Sequence, residues 1–253
     1  GKLSSKNPKM IEVIELAKRT AMTDVPILIK GEAGTGKAML AATIHEFSER
    51  RKGPFIKVNC AAIPANIFES ELFGLDIGTF SETAYSGKIG LIELANKGTI
   101  FFENIHEMPF NIQMKLESFI KNKTFYKTDG NTPIKTDVRI IASTDKELGS
   151  LVGKDEFYEK LYEDINIVSI EIPPLRERSE DIVDIVKFFI EEFEQQYNKK
   201  VKHIDSEVLK TFMDYSWPGN IRQLKNVVER LVILCEDGSI TNDDLPREVK
   251  NEE

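Results

Sequence analysis

The 253-residue sequence holds only two cysteines, three histidines and one tryptophan, and nowhere does it run about 18 apolar residues together. That last absence removes a membrane-spanning helix. The opening GKLSSKNPKM also lacks the apolar stretch of a secretory signal, so a soluble, cytoplasmic chain is expected. Cys60 and Cys235 lie far apart and match no metal or redox spacing, which points to buried thiols in a reducing compartment. His45, His106 and His203 form no ligand pair, so a histidine metal site is not expected. Positive charge is also short: 34 Lys+Arg face 42 Asp+Glu, for a formal charge of −8. Such a field repels a nucleic-acid backbone, so any contact with DNA is expected through a domain absent from this chain.

What is present is an apolar content of 41%, enough for one sizeable core and a smaller attached one. Residues 8 to 22 carry Met10, Ile14 and Ala17 at helical spacing, and 38 to 47 read as a second helix. Short apolar runs at 25–29, 54–60, 98–102, 138–144 and 165–172 read as buried strands, separated by helical stretches such as 109–122 and 154–164. Strands alternating with helices predict an α/β fold with a parallel sheet covered on both faces. After IPPLRERSEDI only helical signals remain, at 179–196, 205–214 and 219–236. The expected division is an α/β core over 1–173 and a helical subdomain over 174–253.

Between the first strand and the second helix stands GEAGTGK, comprising Gly31, Glu32, Ala33, Gly34, Thr35, Gly36 and Lys37, followed by Ala38 and Met39. In that position it reads as a phosphate-binding loop. Glycines let backbone N–H groups converge on phosphate oxygens, the helix start adds its dipole, and Lys37 adds charge to the outer phosphates. ATP or ADP is the expected ligand, bound by residues 31–39. The usual Ser or Thr after the lysine, whose hydroxyl binds magnesium, is Ala38, so Mg2+ coordination is expected to be thin.

Seven stretches in order, GEAGTGK, PFIKVNCAAIP, ESELFG, GTIFFENI, DVRIIAST, IPPLRERSEDI and WPGNIRQLKNVVERL, resemble the AAA+ central domain of sigma-54-dependent transcriptional activators, also called bacterial enhancer-binding proteins. The resemblance covers almost the whole chain. It implies an AAA+ P-loop core with a helical lid, assembly into a ring with ATP at subunit interfaces, and sigma-54 as partner. It also implies that Arg222, in GNIRQL, contacts nucleotide from the lid.

Several positions depart from the family pattern. The family's Asp-Glu pair after the GTIFF strand is Glu103-Asn104 here. Glu103 keeps a carboxylate that can reach magnesium or its waters, whereas Asn104 cannot take a proton from water. The family's two arginines in an FREDLYYRL-like helix become Tyr158 and Asp164, and Lys160 is a poor substitute for either. The family's sensor Asn is Asp145. Asn59 matches the family residue that holds the catalytic glutamate, but its partner here is Asn104. In the sigma-54 contact loop GAFTGA, this chain has GTFSET at 78–83, with Gly78 and Phe80 kept and Glu82 in place of the second Gly. No residue is therefore assigned a catalytic role.

For the last two helical stretches, a DNA-reading helix-turn-helix competes with a nucleotide-covering lid. Residues 206–233 hold four basic and three acidic side chains with no basic stripe, which favours the lid. The expected function is a nucleotide-binding regulatory module that uses occupancy to set lid position or assembly, with weak or lost hydrolysis and weak sigma-54 engagement. The alternatives are an active ATPase that remodels sigma-54 polymerase, and a mixed ring with an active relative.

Overall fold

The computed structural model describes residues 4–76, 87–236 and 238–250. The expectations placed on residues 78–83 lie outside them. Contacts divide the chain into two compact units. One comprises Glu15–Lys30 and Lys37–Glu171, the other Gly1–Ile14, Gly31–Gly36 and Ile172–Glu253.

The larger unit is built on a five-stranded parallel sheet. Its strands are β1 (Ile27–Lys30), β2 (Phe55–Asn59), β3 (Thr99–Glu103), β4 (Arg139–Thr144) and β5 (Val168–Glu171), in the spatial order β2-β3-β4-β1-β5. All six residues of β4 are buried, as are Ile27, Leu28 and Ile29 of β1. A central strand covered on both faces favours consecutive apolar residues over alternation, and residues 27–29 and 140–142 supply them, while Arg139, Ser143 and Thr144 are buried polar residues of β4. The helices of this unit include α2 (Lys37–Phe47), α3 (Ala65–Phe73), α4 (Phe110–Asn122) and α5 (Glu159–Ile165). Its core joins Leu28, Val58, Phe102 and Ala142 of the sheet to Phe68 and Leu72 of α3, Leu116 and Phe119 of α4, and Leu161 and Ile165 of α5. Helix α1 (Pro8–Ala21) precedes β1, with proline at its first turn, where no N–H is needed. Arg139 donates to the carbonyls of Thr20 (2.7 Å) and Ala21 (2.9 Å) at the end of that helix.

One predicted element starts too early. A helix was expected over 154–164, but α5 begins at Glu159. Asp155 is left-handed, with φ 58°, and Phe157 is buried in the core, so the chain turns before the helix can start. Helix α3 had no forecast at all.

The second unit is helical: α6 (Ile182–Tyr197), α7 (Ser206–Asp214) and α8 (Asn220–Leu234). Its core includes Val186, Phe193, Val208, Phe212, Leu224, Val228 and Leu231 around Trp217, which is fully buried. The Trp217 indole N–H donates to the carbonyl of Phe212 at 2.6 Å, and its ring meets Phe212 and Tyr215 edge-on. The apolar face of α8 is therefore spent on packing inside this unit. No helix among the described residues is long and apolar enough to cross a membrane.

Candidate functional site

The loop Gly31–Gly36 belongs to the helical unit. Gly34 and Gly36 have φ of 78° and 102°, values that side chains rarely adopt. Gly34 is fixed by space as well, because a Cβ there would lie 2.3 Å from the carbonyl oxygen of Gly219. Buried Thr35 closes the loop on itself, its hydroxyl donating to the Glu32 carbonyl at 2.8 Å.

The rest of the loop is bonded to the PPLRER and WPGN segments. Arg176 grips the Glu32 carboxylate with two nitrogens, at 2.9 and 2.6 Å. Asn220, fully buried and left-handed at φ 52°, donates through Nδ2 to Glu32 Oε2 and to the Ala33 carbonyl, both at 3.0 Å. Its Oδ1 accepts from the Leu175 N–H at 2.8 Å. Arg178 donates to the Thr35 carbonyl at 2.9 Å, and the Arg222 N–H to the Gly34 carbonyl at 3.3 Å. Arg222 is thus placed beside the loop with its side chain exposed. The Arg176 pair is open to solvent and contributes little by itself. The Asn220 bond to the Leu175 N–H is buried, where loss of a partner costs about 1–3 kcal/mol per group, and those to Glu32 and Ala33 are part-buried.

In the sheet-containing unit, Lys37 opens α2 and is buried, Ala38 presents a half-buried methyl, and Met39 is exposed. At the end of β3, the Glu103 carboxylate accepts an ion pair from Lys57 Nζ at 2.9 Å. Asn104 follows in the left-handed region, φ 54° and ψ 53°. Asn59, opposite Glu103 in the register, has its Oδ1 committed to the Ala61 N–H at 3.2 Å.

His106, to which sequence reasoning gave no role, stands at the ends of β3 and β4. Its Nδ1 lies 3.0 Å from the Thr144 hydroxyl, and its Nε2 lies 3.3 Å from Glu107 and 3.5 Å from Asp145. Burial pulls its pKa below the ordinary histidine value, against the pull of Asp145 and Glu107. The available signal was positional: His106 and Asp145 each follow one of two adjacent strands.

The two positions at which the resemblance implies arginines make contacts within the sheet-containing unit. Tyr158 packs against the core, with its N–H donating to Gln113 Oε1 at 2.8 Å and its ring edge-on to Phe110. The Asp164 carboxylate lies 3.9 Å from Lys121, and burial raises its pKa above the ordinary aspartate value. Lys160 is exposed on the same short helix.

Magnesium fits these residues poorly. The ion is held by one or two carboxylates together with hydroxyl, phosphate and water oxygens. Ala38 offers no oxygen, Glu103 is ion-paired to Lys57, and no cluster of three metal-ligating side chains occurs among the described residues.

Comparison with known proteins bears on these features. Residues 3–171 match the family described as the Sigma-54 interaction domain, and residues 176–253 match the AAA+ ATPase lid domain. An uncharacterized protein in the HyuA 5′ region of Pseudomonas sp. (strain NS671) is 44% identical over 245 residues, 97% of this chain and 83% of that protein. The regulatory protein AtoC of Escherichia coli (strain K12) is 39% identical over 250 residues, 99% of this chain and 54% of that protein. The crystal structure of NtrX from Brucella abortus in complex with ATP superposes with a TM-score of 0.92 at 33% identity, covering 99% of this chain and 55% of that one. A second NtrX crystal structure, in complex with ADP, gives a TM-score of 0.91. The chain spans about half the length of AtoC and NtrX.

Proposed function

The chain belongs to the Sigma-54 interaction domain family of AAA+ proteins, and from that membership we propose that it is a regulatory module that binds ATP or ADP and hydrolyses it feebly or not at all. Residues 31–39 and Arg222 are assigned to the nucleotide. The core–lid boundary is placed near residue 174. Gly31–Gly36 hold the phosphates through backbone N–H groups and Lys37 supplies charge, and NtrX, its structural relative, is known in complex with ATP and with ADP. The bonds from Arg176, Arg178, Asn220 and the Arg222 N–H to the loop give occupancy a route to the helical unit. In this reading the lid, and ring assembly with it, answers to bound nucleotide.

The observation that carries the loss of hydrolysis is Asn104. It stands at the end of β3, immediately after Glu103, and bears an amide that cannot accept a proton from water near neutral pH. Loss of a general base costs about 10² to 10⁴ in rate. Asp164 compounds it, since a carboxylate at a position expected to stabilise a phosphoryl transition state has the wrong sign. Sigma-54 remains the family's partner, and its engagement here is proposed to be weak because Glu82 stands in the GTFSET stretch. DNA contact is assigned to a domain absent from this chain.

The rival reading, an active ATPase that remodels sigma-54 polymerase, is favoured by the family match itself. Calorimetry with ATP and ADP, paired with steady-state phosphate release at saturating ATP, separates the two. Binding with turnover far below about 1 s⁻¹ is expected. Turnover near about 1 s⁻¹ that Lys37→Ala abolishes overturns the proposal. A mixed ring is tested by titrating this chain into an active relative, whose rate changes if the two assemble together.

A further inference from the structure

The Glu103–Lys57 pair bears on the metal rather than on the water. Lys57 and Asn59 share one face of the edge strand β2, on the side where Phe55 stacks on Phe101 of β3. The Lys57 side chain runs along that face and delivers its ammonium 2.9 Å from Glu103 Oε2. The Glu103 side chain is 16% exposed and that of Lys57 50%, so the carboxylate is sheltered while the ammonium reaches it from the solvent side. A dication approaching this carboxylate meets a like charge already in place. To enter, it must displace the ammonium or share its ligand, and magnesium tolerates little departure from octahedral oxygen geometry. Ala38 removes the hydroxyl that would offer a second protein ligand one residue after Lys37.

We infer that Lys57 takes the place of the divalent cation as the counter-charge of Glu103, so that this chain binds nucleotide independently of magnesium. The inference rests on the nucleotide-binding reading above. It concerns the cation alone and assigns Lys57 a positioning and charge-balancing role rather than a catalytic one.

The test is calorimetric titration of the whole chain with ADP and with ATP, once in excess magnesium chloride and once in excess EDTA, with urea denaturation alongside to confirm that each variant is folded. For the wild type the affinity in EDTA is expected to equal or exceed that in magnesium. A magnesium advantage below tenfold supports the inference, and tenfold or more overturns it. A Lys57→Met, Ala38→Ser variant frees the carboxylate and returns the hydroxyl. It is expected to bind at least tenfold more tightly with magnesium than with EDTA, and a variant as insensitive as the wild type overturns the role given to Lys57. Absence of nucleotide binding in both conditions overturns the nucleotide reading together with the inference, whereas strong magnesium dependence removes the inference and leaves that reading standing.

Discussion

The imidazole Nε2 of His106 lies 3.5 Å from the Asp145 carboxylate, across the ends of two neighbouring strands, while its Nδ1 is held 3.0 Å from the Thr144 hydroxyl. Two forces oppose each other on this ring. Burial disfavours the imidazolium and is the larger, and Asp145 and Glu107 favour it. Asp145→Asn removes one favourable charge, so the His106 titration should move further below the ordinary value. Proton NMR of the imidazole Cε1–H signal reads this directly. A midpoint that does not move contradicts the contact.

Asn220 is where the WPGN turn meets the phosphate loop. One side chain serves the Leu175 N–H, the Ala33 carbonyl and the Glu32 carboxylate, in a left-handed conformation that asparagine tolerates. Asn220→Ala should destabilise the chain by roughly 2–4 kcal/mol, from orphaned buried groups and the strained backbone together. Asn220→Asp keeps the conformation and the acceptor but sets a second carboxylate against Glu32. Its loss of stability should be partly recovered by Glu32→Gln, as measured by urea denaturation. Without that recovery, Asn220 acts by filling space and the Glu32 contact contributes little.

Much of this architecture is readable in the residue order, for physical reasons that also explain the gaps. β1, β3 and β4 are covered on both faces, so each is an apolar run that stands out from its surroundings. Helices α6 and α8 have one buried stripe and a charged remainder, which makes their period visible. The strands at 124–125 and 134–135 are two residues long, too short to carry any period. The start of α5 depends on the left-handed Asp155 and the anchoring of Phe157, which are tertiary facts. The phosphate loop announces itself by local spacing. Its bonds to Asn220, formed across 187 and 188 positions, do not, because no local pattern encodes a contact at that separation. The Lys57–Glu103 and His106–Asp145 pairs have no local signature for the same reason: strand register, not sequence distance, brings them together.

Replacing Asn104 by Glu isolates the water-activating position. A glutamate at φ 54° and ψ 53° gives up the ease with which asparagine adopts that region, at a cost of about 1 kcal/mol. The variant should be slightly less stable and should release phosphate no faster than the wild type, because Tyr158 is packed into the core and Asp164 keeps the wrong sign. Phosphate release at saturating ATP and a denaturation curve check both halves. A tenfold or greater rise in turnover from this single change refutes the argument built on Asp164.

His45 should make the fold sensitive to acid at higher pH than Asp24 and Asp137 do. It is 6% exposed on α2, with Nδ1 2.9 Å from the Thr99 hydroxyl at the start of β3, and burial is the main reason its pKa lies below the ordinary 6.5. The unfolded chain takes up a proton near 6.5, while the folded chain resists it until lower pH, so protonation favours unfolding. Stability is therefore complete above about 6.5 and falls as pH drops toward the depressed folded value. His106 adds a contribution of the same sign. Asp24 and Asp137, held low chiefly by hydrogen bonds from Arg50, weaken the fold only when pH falls below their ordinary 3.8. Urea denaturation across pH 7.5 to 5 should show a steady loss of stability, and His45→Gln should make that slope shallower while lowering stability at pH 7.5. A slope unchanged by the substitution places the acid sensitivity on other groups and removes His45 from the account.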